Sequence, residues 1–275
     1  TWHACGALKK FGDSVLDKTF GADEALVRRV AIHSNYDVCL VSSSACIPFY
    51  AEAFRQPSDV FVADVGIPRT DVLVDPARAE SVAGAVRRRY ALPEAKRVIL
   101  YAPTFRGDRI ADARAGADLD LARLAAVLGE DHVVLLRLHP FVRARLAVPP
   151  ALRAFVVDAS DHPEINDLML VSDVLVTDYS SAVFEFALLR RPIVLFAPDH
   201  AAYERERGFY VDYRSSMPGP VFETTAPLAD YLRAGTFDLE RVDRFARTWF
   251  DVADGRATAR FVDRIVLPTL ASTGR

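Results

Sequence analysis

The stretch LMLVSDVLVTDYSSAVFEFALLRRPIVLFAPD, residues 168–199, indicates the fold most directly. An apolar strand over 173–178 ends at Asp178-Tyr179-Ser180-Ser181, and a helical pattern over 181–191 follows at once. A second apolar strand covers 192–198. Strand, helix and strand in this order are typical of a parallel α/β sheet, in which turns such as this one lie at the carboxyl ends of the strands.

The same alternation continues along most of the chain. Asp75 is placed to cap a helix that starts at Pro76 and stops before Pro93. DLDLARLAAVLG, residues 118–129, predicts another helix, with Gly129 as the candidate C-cap, and 239–267 predicts two more. The further strand-like runs are 37–43, 60–66, 97–103, 132–138 and 154–158.

The regular alternation starts only after a boundary that we expect near 92–97. Before it lie two predicted strands and a helix, too little for a sheet of their own. We therefore expect residues 1–92 to be the remaining C-terminal part of one Rossmann-like domain, and residues 93–275 to be a complete one.

Composition excludes several classes of protein. The 275 residues carry 34 basic against 37 acidic side chains, a formal net charge of −3, which gives no footprint for nucleic acid. The three cysteines have neither zinc nor redox spacing, so we expect free thiols in a reducing compartment. No apolar run approaches the roughly 20 residues of a spanning helix. We also expect no bound metal, because no pattern of metal ligands is present.

The turn at Ser180-Ser181 is the clearest candidate site. Unpaired N–H groups at a helix start, with two hydroxyls beside them, suit an anion. A serine that only caps the helix would be the more common case. Glu185 lies one helical turn after Ser181, however, and a carboxylate overlooking the pocket suits the hydroxyls of a ribose or polyol.

Further candidates follow two other predicted strands. Arg137 and His139 alternate onto the same side of the run 132–138, and Pro140 ends that strand. Both offer donors to phosphate, although either alone would be ordinary surface. Pro103 ends the run 97–103 and Thr104 follows it, although an ordinary turn would equally explain this segment. Polar groups converging at several strand ends are what a nucleoside diphosphate requires.

Two basic features stay open on the residues alone. Arg69 follows the run 60–66, where it could reach a cleft or remain solvated. Arg205, Arg207 and Arg214 suit a solvated face as well as a lipid contact.

A set of motifs in fixed order carries a family resemblance. They are WHACGALKK, VSSS, FRQP, GIPRTD, LYAPTFR, LRLHP, the stretch 168–199, YERERGFYVDY and MPGPVFET. Together they resemble the CDP-glycerol glycerophosphotransferases of teichoic acid and capsular polymer synthesis, over positions 2 to 235.

The resemblance implies a GT-B architecture and transfer of glycerol phosphate or ribitol phosphate from a CDP-polyol to a lipid-linked polymer, with release of CMP. It implies His3 as the general base and His139 as the second catalytic residue. It implies no cofactor, and an enzyme peripheral to the inner face of the cell membrane. The implied donor-binding residues are Trp2, Ala4, Cys5, Gly6, Arg69, Pro103, Thr104, Arg137, Leu138, Ser180, Ser181 and Glu185.

Two departures from the family pattern bear on the substrate and the activity. The loop after His3 is one residue longer than the common form, and Glu185 stands where the family usually has Asp. Both departures leave the polyol open, with glycerol as the first expectation and ribitol as the close competitor. Because only two residues precede His3, an inactive CDP-polyol-binding remnant stays open, as does another GT-B transferase that uses a nucleotide sugar.

Overall fold

The computed structural model describes residues 5–16, 18, 25, 29–30, 32–107, 112–116, 119–142 and 147–273. Its main feature is a six-stranded sheet in which every neighbouring pair is parallel. In chain order the strands are β3 (Arg97–Ala102), β4 (His132–Leu136), β5 (Val156–Asp158), β6 (Val174–Thr177), β7 (Ile193–Phe196) and β8 (Val221–Phe222).

The spatial order of the strands is β5-β4-β3-β6-β7-β8. The first strand of this sheet, β3, therefore lies in its middle. Strands β4 and β5 follow on one side of β3, and β6, β7 and β8 follow on the other side. This is the doubly wound order, whose switch point lies between β3 and β6. The α/β class and the parallel sheet predicted from the sequence are confirmed, although the strands are shorter than predicted and the edge strand β8 was not expected.

The first part of the chain contributes a separate, two-stranded parallel sheet. Its strands are β1 (Cys39–Leu40) and β2 (Phe61–Val62), which lie within the runs predicted at 37–43 and 60–66. The division into domains at 92–97 stays a prediction.

Helices pack on both faces of the large sheet, and others belong to the first part of the chain. They are α1 (Ile47–Phe54), α2 (Asp71–Val74), α3 (Pro76–Arg89), α4 (Leu121–Leu128), α5 (Ile165–Val171), α6 (Ala182–Ala187), α7 (His200–Arg207), α8 (Tyr213–Ser216), α9 (Thr225–Ala234), α10 (Leu239–Trp249), α11 (Ala257–Phe261) and α12 (Leu267–Thr273). A π-helical turn at Val262–Val266 joins the last two.

Local sequence explains where these helices start and stop. Asp75 accepts a hydrogen bond from the Arg78 N–H and Pro76 opens α3, as predicted. Asp120 caps α4 in the same way, and Gly129 follows that helix in a right-handed conformation. The predicted position of this C-cap is therefore confirmed, but the cap does not use the positive φ that favours glycine.

The C-terminal segment packs on the first part of the chain. Asp251 accepts hydrogen bonds from the Ser43 hydroxyl and the Ser44 N–H. Asp71 accepts from the N–H groups of Ala257 and Thr258 and so caps α11 from a distant helix. These hydrogen bonds hold the C-terminal segment, which returns from the large sheet, against the first part of the chain.

Both faces of the large sheet are buried. One hydrophobic cluster joins the first part to one face, through side chains such as Tyr50, Phe184 and Trp249. A second cluster, which includes Leu124 and Leu228, covers the other face. Burial on both faces is what a parallel sheet requires. Within the described residues, no helix combines the length and apolar character needed to cross a membrane.

Candidate active site

Two cavities lie side by side at the carboxyl ends of β3, β4 and β6. The first, of about 300 Å³, is called the Glu185 cavity, and residues of all three strand ends line it. The second, of about 380 Å³, is called the Lys9 cavity, and residues 5–11 form much of its wall. His139 and Ser181 line both, so the two cavities adjoin at these side chains. In doubly wound sheets ligands bind at this edge, beside the switch point.

Glu185 projects from α6 into the Glu185 cavity and is almost fully buried. Arg69, from the turn before α2, approaches it across the cavity, with its Nε 3.1 Å from the Oε1 of Glu185. This is a charge contact rather than a hydrogen bond, because Oε1 has no hydrogen-bond partner among the described residues. Burial, with a smaller contribution from Glu164, raises the pKa of Glu185 to about 7 against the opposing effect of Arg69. A carboxylate with an unsatisfied oxygen is suited to accept a hydroxyl of a ligand.

Arg137 and His139 reach the Glu185 cavity from the end of β4. Nη1 of Arg137 donates to the carbonyl oxygens of Leu138 and Ser160, which fixes the orientation of the guanidinium. Burial lowers the pKa of Arg137, but a guanidinium remains charged at neutral pH. Nδ1 of His139 accepts from the Phe141 N–H, so a neutral ring carries its proton on Nε2.

The Ser180-Ser181 turn lies between the cavities. The Ser180 hydroxyl accepts from the Ala182 N–H, while Ser181 makes no side-chain cap to α6. Helix α6 has six residues, fewer than the run predicted at 181–191, so it adds little macrodipole. The groups of this turn that could bind an anion are therefore mainly hydroxyls and backbone N–H groups rather than a helix dipole.

Thr104 lies behind the cavity wall rather than in it. Its N–H and hydroxyl both donate to the buried carboxylate of Asp178, which also accepts from Arg106. Arg106 in turn pairs with Asp199 through Nε at 2.6 Å. The network ties the ends of β3, β6 and β7 together. A direct contact of Thr104 with a donor stays a prediction, and its observed contacts hold the residue after Pro103 against Asp178.

Cys5 and Gly6 line the Lys9 cavity. The Gly6 N–H donates to the Ser42 hydroxyl, and Tyr50 donates to the Gly6 carbonyl, so this segment is held by the first part of the chain. Burial, with Glu185 adding to it, raises the pKa of Cys5 well above its usual value, which keeps the thiol neutral. All three cysteines are free, as predicted, and all three are buried.

The structure thus brings most of the predicted site residues together. Trp2, His3 and Ala4 lie outside the described residues. With Thr104 set behind the wall, the other predicted residues line one or both cavities: Cys5, Gly6, Arg69, Pro103, Arg137, Leu138, His139, Ser180, Ser181 and Glu185.

Part of the lining has no counterpart among the residues predicted from the sequence. Lys9, Lys10 and Arg207 place positive charge around the Lys9 cavity. On sequence alone Arg207 could equally be solvated, but it is buried, donates to the Gly107 carbonyl and lies over the ring of Phe105. Its local sequence gave no signal, because burial there depends on a loop distant in sequence. Among the described residues no group of His, Cys, Asp and Glu could hold a metal ion.

A sequence model of the CDP-glycerol:poly(glycerophosphate) glycerophosphotransferase family matches residues 1–267. The chain belongs to this family. The teichoic acid ribitol-phosphate primase of Bacillus spizizenii is 38% identical over 96% of this chain and 68% of its own length. The teichoic acid poly(ribitol-phosphate) polymerase of the same organism is also 38% identical, over 97% of this chain but only 42% of its own length.

The family match extends to the fold. The solved structure of the wall teichoic acid polymerase TagF is 30% identical, with a TM-score of 0.85 over 100% of this chain and 68% of that chain. A TagF variant soaked with CDPG gives a TM-score of 0.84. The chain therefore shares the fold of TagF. It spans 68% of the length of the ribitol-phosphate primase and 42% of the length of the poly(ribitol-phosphate) polymerase.

Proposed function

We propose that the chain is a phosphotransferase that moves a polyol phosphate from a CDP-polyol to a hydroxyl of a lipid-linked, teichoic-acid-like or capsular polymer, releasing CMP. One observation carries the proposal. Arg69, Arg137, His139, Ser181 and Glu185, spread over more than a hundred residues, line one cavity at the switch point of the sheet. Family membership over residues 1–267 gives that cavity its chemistry.

In this proposal the Glu185 cavity holds the cytidine diphosphate. The buried Glu185 carboxylate accepts hydrogen bonds from the ribose hydroxyls, which satisfy its unpartnered oxygen. Arg69 keeps that carboxylate ionised when the donor is bound. The cavity therefore selects a nucleoside by its hydroxyls and holds it in place by charge.

Arg137, His139 and the Ser180-Ser181 turn then hold the diphosphate. Phosphoryl transfer needs positioning and charge stabilisation more than covalent help. The Nε2–H of His139 is directed away from the backbone contact at Nδ1, so it can donate a hydrogen bond to a phosphate oxygen and stabilise the negative charge that CMP carries as it leaves.

The reaction balances with one base. The acceptor hydroxyl oxygen forms a bond to the phosphorus next to the polyol, and the bond from that phosphorus to the oxygen of CMP breaks. His3 takes the hydroxyl proton, since a histidine titrates near neutral pH and is the usual base. Residues 5 and 6, which follow His3 in sequence, line the Lys9 cavity, where the acceptor would then enter.

For the polyol we propose either glycerol or ribitol. The two Bacillus spizizenii relatives are named for ribitol phosphate, whereas CDPG was soaked into TagF. We further propose a GT-B arrangement in which residues 93–275 bind the donor and residues 1–92 belong to the acceptor side, working at the inner face of the membrane.

The test is CMP release from CDP-glycerol and from CDP-ribitol, with a lipid-linked acceptor. We compare the wild-type chain with His3→Ala, His139→Ala and His33→Gln, the last of which removes an imidazole that lines neither cavity. We expect both alanine variants to lose about 100-fold or more in turnover, and His33→Gln to retain it.

Each part of the proposal has its own contrary result. Turnover in His3→Ala close to wild type would refute the general-base role. Binding of CDP-glycerol without any CMP release would identify a binding module instead of an enzyme. Release of sugar from a nucleotide sugar, with no use of either CDP-polyol, would identify a glycosyltransferase.

A further inference from the structure

The Lys9 cavity differs in charge from the cavity beside it. The described residues that line it include Lys9, Lys10 and Arg207 but no Asp or Glu. The Glu185 cavity, in contrast, balances its arginines with Glu164 and Glu185. Cations gathered around a concave surface without a carboxylate among its lining residues attract an anion.

The positive groups are held in place by backbone contacts. Lys10 donates its N–H to the Gly208 carbonyl, and Lys9 forms an antiparallel bridge with Phe209. A Cβ built on Gly208 would lie 3.3 Å from the Cδ of Lys10, so the Lys10 side chain runs over this glycine. Arg207 immediately precedes it. One short ladder therefore brings residues 9 and 10 beside a helix end almost two hundred positions away.

Aromatic rings form another part of the wall of the Lys9 cavity. His139 packs between Phe105 and Phe141, with ring centroids 4.7 and 4.8 Å away. Phe184 also lines this cavity. The cavity therefore offers apolar surface for a carbon chain together with cationic groups for its charge.

We propose that the Lys9 cavity is the acceptor subsite, in which Lys9, Lys10 and Arg207 bind a phosphodiester of the growing polymer while its terminal hydroxyl points toward His139 and Ser181. This rests on the proposed function, because it takes the donor phosphates to lie at those two residues. A chain of alternating polyol and phosphodiester fits the wall, since its carbons contact the rings and its charges pair with the lysines.

The alternative anions have less support. The donor diphosphate is already matched by Arg137, His139 and the Ser180-Ser181 turn in the neighbouring cavity. A lipid headgroup would carry the same phosphodiester chemistry, but the cavity adjoins the proposed site of transfer rather than standing alone on the surface. Binding experiments with soluble oligomers and with lipid vesicles therefore distinguish a polymer phosphodiester from a lipid headgroup.

Binding is measured without turnover, by calorimetry at low ionic strength, with short water-soluble oligomers of glycerol phosphate and of ribitol phosphate. The variants are Lys9→Gln with Lys10→Gln, and a control, Arg153→Gln with Arg205→Gln, which removes two exposed positive charges that line neither cavity. We expect the lysine variant to bind the oligomer at least about tenfold more weakly, and both variants to keep wild-type affinity for CDP-glycerol.

The outcomes separate this proposal from the proposed function. The acceptor subsite is overturned if the wild type does not bind the oligomer, or if the lysine variant binds it as tightly as the wild type. Neither result bears on donor binding or CMP release, which test the proposed function. A parallel loss of CDP-glycerol affinity assigns the lysines to the donor and also overturns it. Weakened binding to anionic lipid vesicles with unchanged oligomer binding assigns the anion to the membrane and overturns it too. A variant that binds the oligomer weakly and CDP-glycerol normally supports it.

Discussion

Arg69 and Glu185 meet across the Glu185 cavity, with Nε and Oε1 3.1 Å apart. The Arg69 side chain is 36% exposed, whereas the Glu185 side chain is only 4% exposed. The charge on Glu185 is therefore shielded from water, and Arg69 is the positive group that compensates it. Arg69 belongs to the first part of the chain and Glu185 to the helix after β6. This pair therefore couples the two parts of the chain at the candidate donor site, and its electrostatics have measurable consequences.

Replacing Glu185 with Gln should flatten the pH dependence of stability. The pKa of Glu185 is raised from 4.5 to about 7, so between these values the folded chain binds more protons than the unfolded one. The free energy of unfolding then falls as pH rises through this window, by roughly 3 kcal/mol in all. Urea unfolding at pH 5 and pH 8 measures the fall, and Glu185→Gln should remove that share of it. An equal fall in both proteins would contradict the assigned pKa.

Removing Arg69 should raise the pKa of Glu185 above about 7. Arg69 is the cause that opposes burial, so Arg69→Met leaves the buried carboxylate with less compensation. NMR titration of the side-chain carboxyl carbons measures this directly, with Arg205→Met as a control for loss of a distant charge. A titration of Glu185 that is unchanged in Arg69→Met would mean that the contact has little electrostatic effect. We also expect Arg69→Met to weaken CDP-glycerol binding by about tenfold.

Asp178 should be among the residues on which stability depends most. It is buried, and it accepts from Thr104, Arg106 and the Tyr179 N–H. Asp178→Ala would leave Arg106 largely buried with one carboxylate fewer, at a cost of about 3–5 kcal/mol. Thr104→Val removes only a hydroxyl from the same network and should cost about 1–2 kcal/mol.

Chemical denaturation of the two variants compares these costs. If Thr104→Val lowers the free energy of unfolding as much as Asp178→Ala does, the Thr104 hydroxyl rather than the ion pair is the main stabilising group of this network. Because the network holds the turn before Ser180, we also expect the Asp178 variant to bind CDP-glycerol more weakly than Thr104→Val.

Local patterns predicted the sheet and most of the Glu185 cavity. Strand ends are visible in sequence because apolar runs stop at polar residues, and a parallel sheet places all such ends on one edge. That is why the sequence alone placed Arg137, His139 and Ser181 together. The cap at Asp75 was predicted for a similar reason, since a cap depends on a few neighbouring residues.

Contacts between segments that are distant in the chain produce no such local pattern in the sequence, so they were not predicted. Lys9 and Arg207 reach one cavity only through the ladder between residues 8–10 and 208–210. Thr104 resembles a ligand-binding residue in the sequence, because nothing local indicates that Asp178 occupies its hydroxyl. The crossing of the C-terminal segment to Ser43 and Asp71 was missed for the same reason.

Gly6 should tolerate no side chain, and Gly235 provides a matched control. Both have positive φ, +63° and +66°, so alanine at either position costs about 1 kcal/mol of backbone strain. At Gly6 a Cβ would also lie 2.2 Å from Cε1 of Phe184, whereas at Gly235 nothing lies within 4 Å. Phe184 cannot move aside easily, because it is stacked on Phe245 at 5.2 Å and is fully buried. We therefore expect Gly6→Ala to lose about 2–4 kcal/mol and Gly235→Ala about 1 kcal/mol.

Thermal and urea unfolding of these two alanine variants measure the difference, which isolates the clash from the backbone strain. The same displacement of Phe184 would deform the wall of the Lys9 cavity, so Gly6→Ala should also lose CMP release at temperatures where it remains folded. Equal losses of stability in the two variants would show that the segment after His3 can shift away from Phe184. In that case the Lys9 cavity would be an adaptable surface, and Gly6→Ala would retain CMP release because the wall could re-form around the added methyl group.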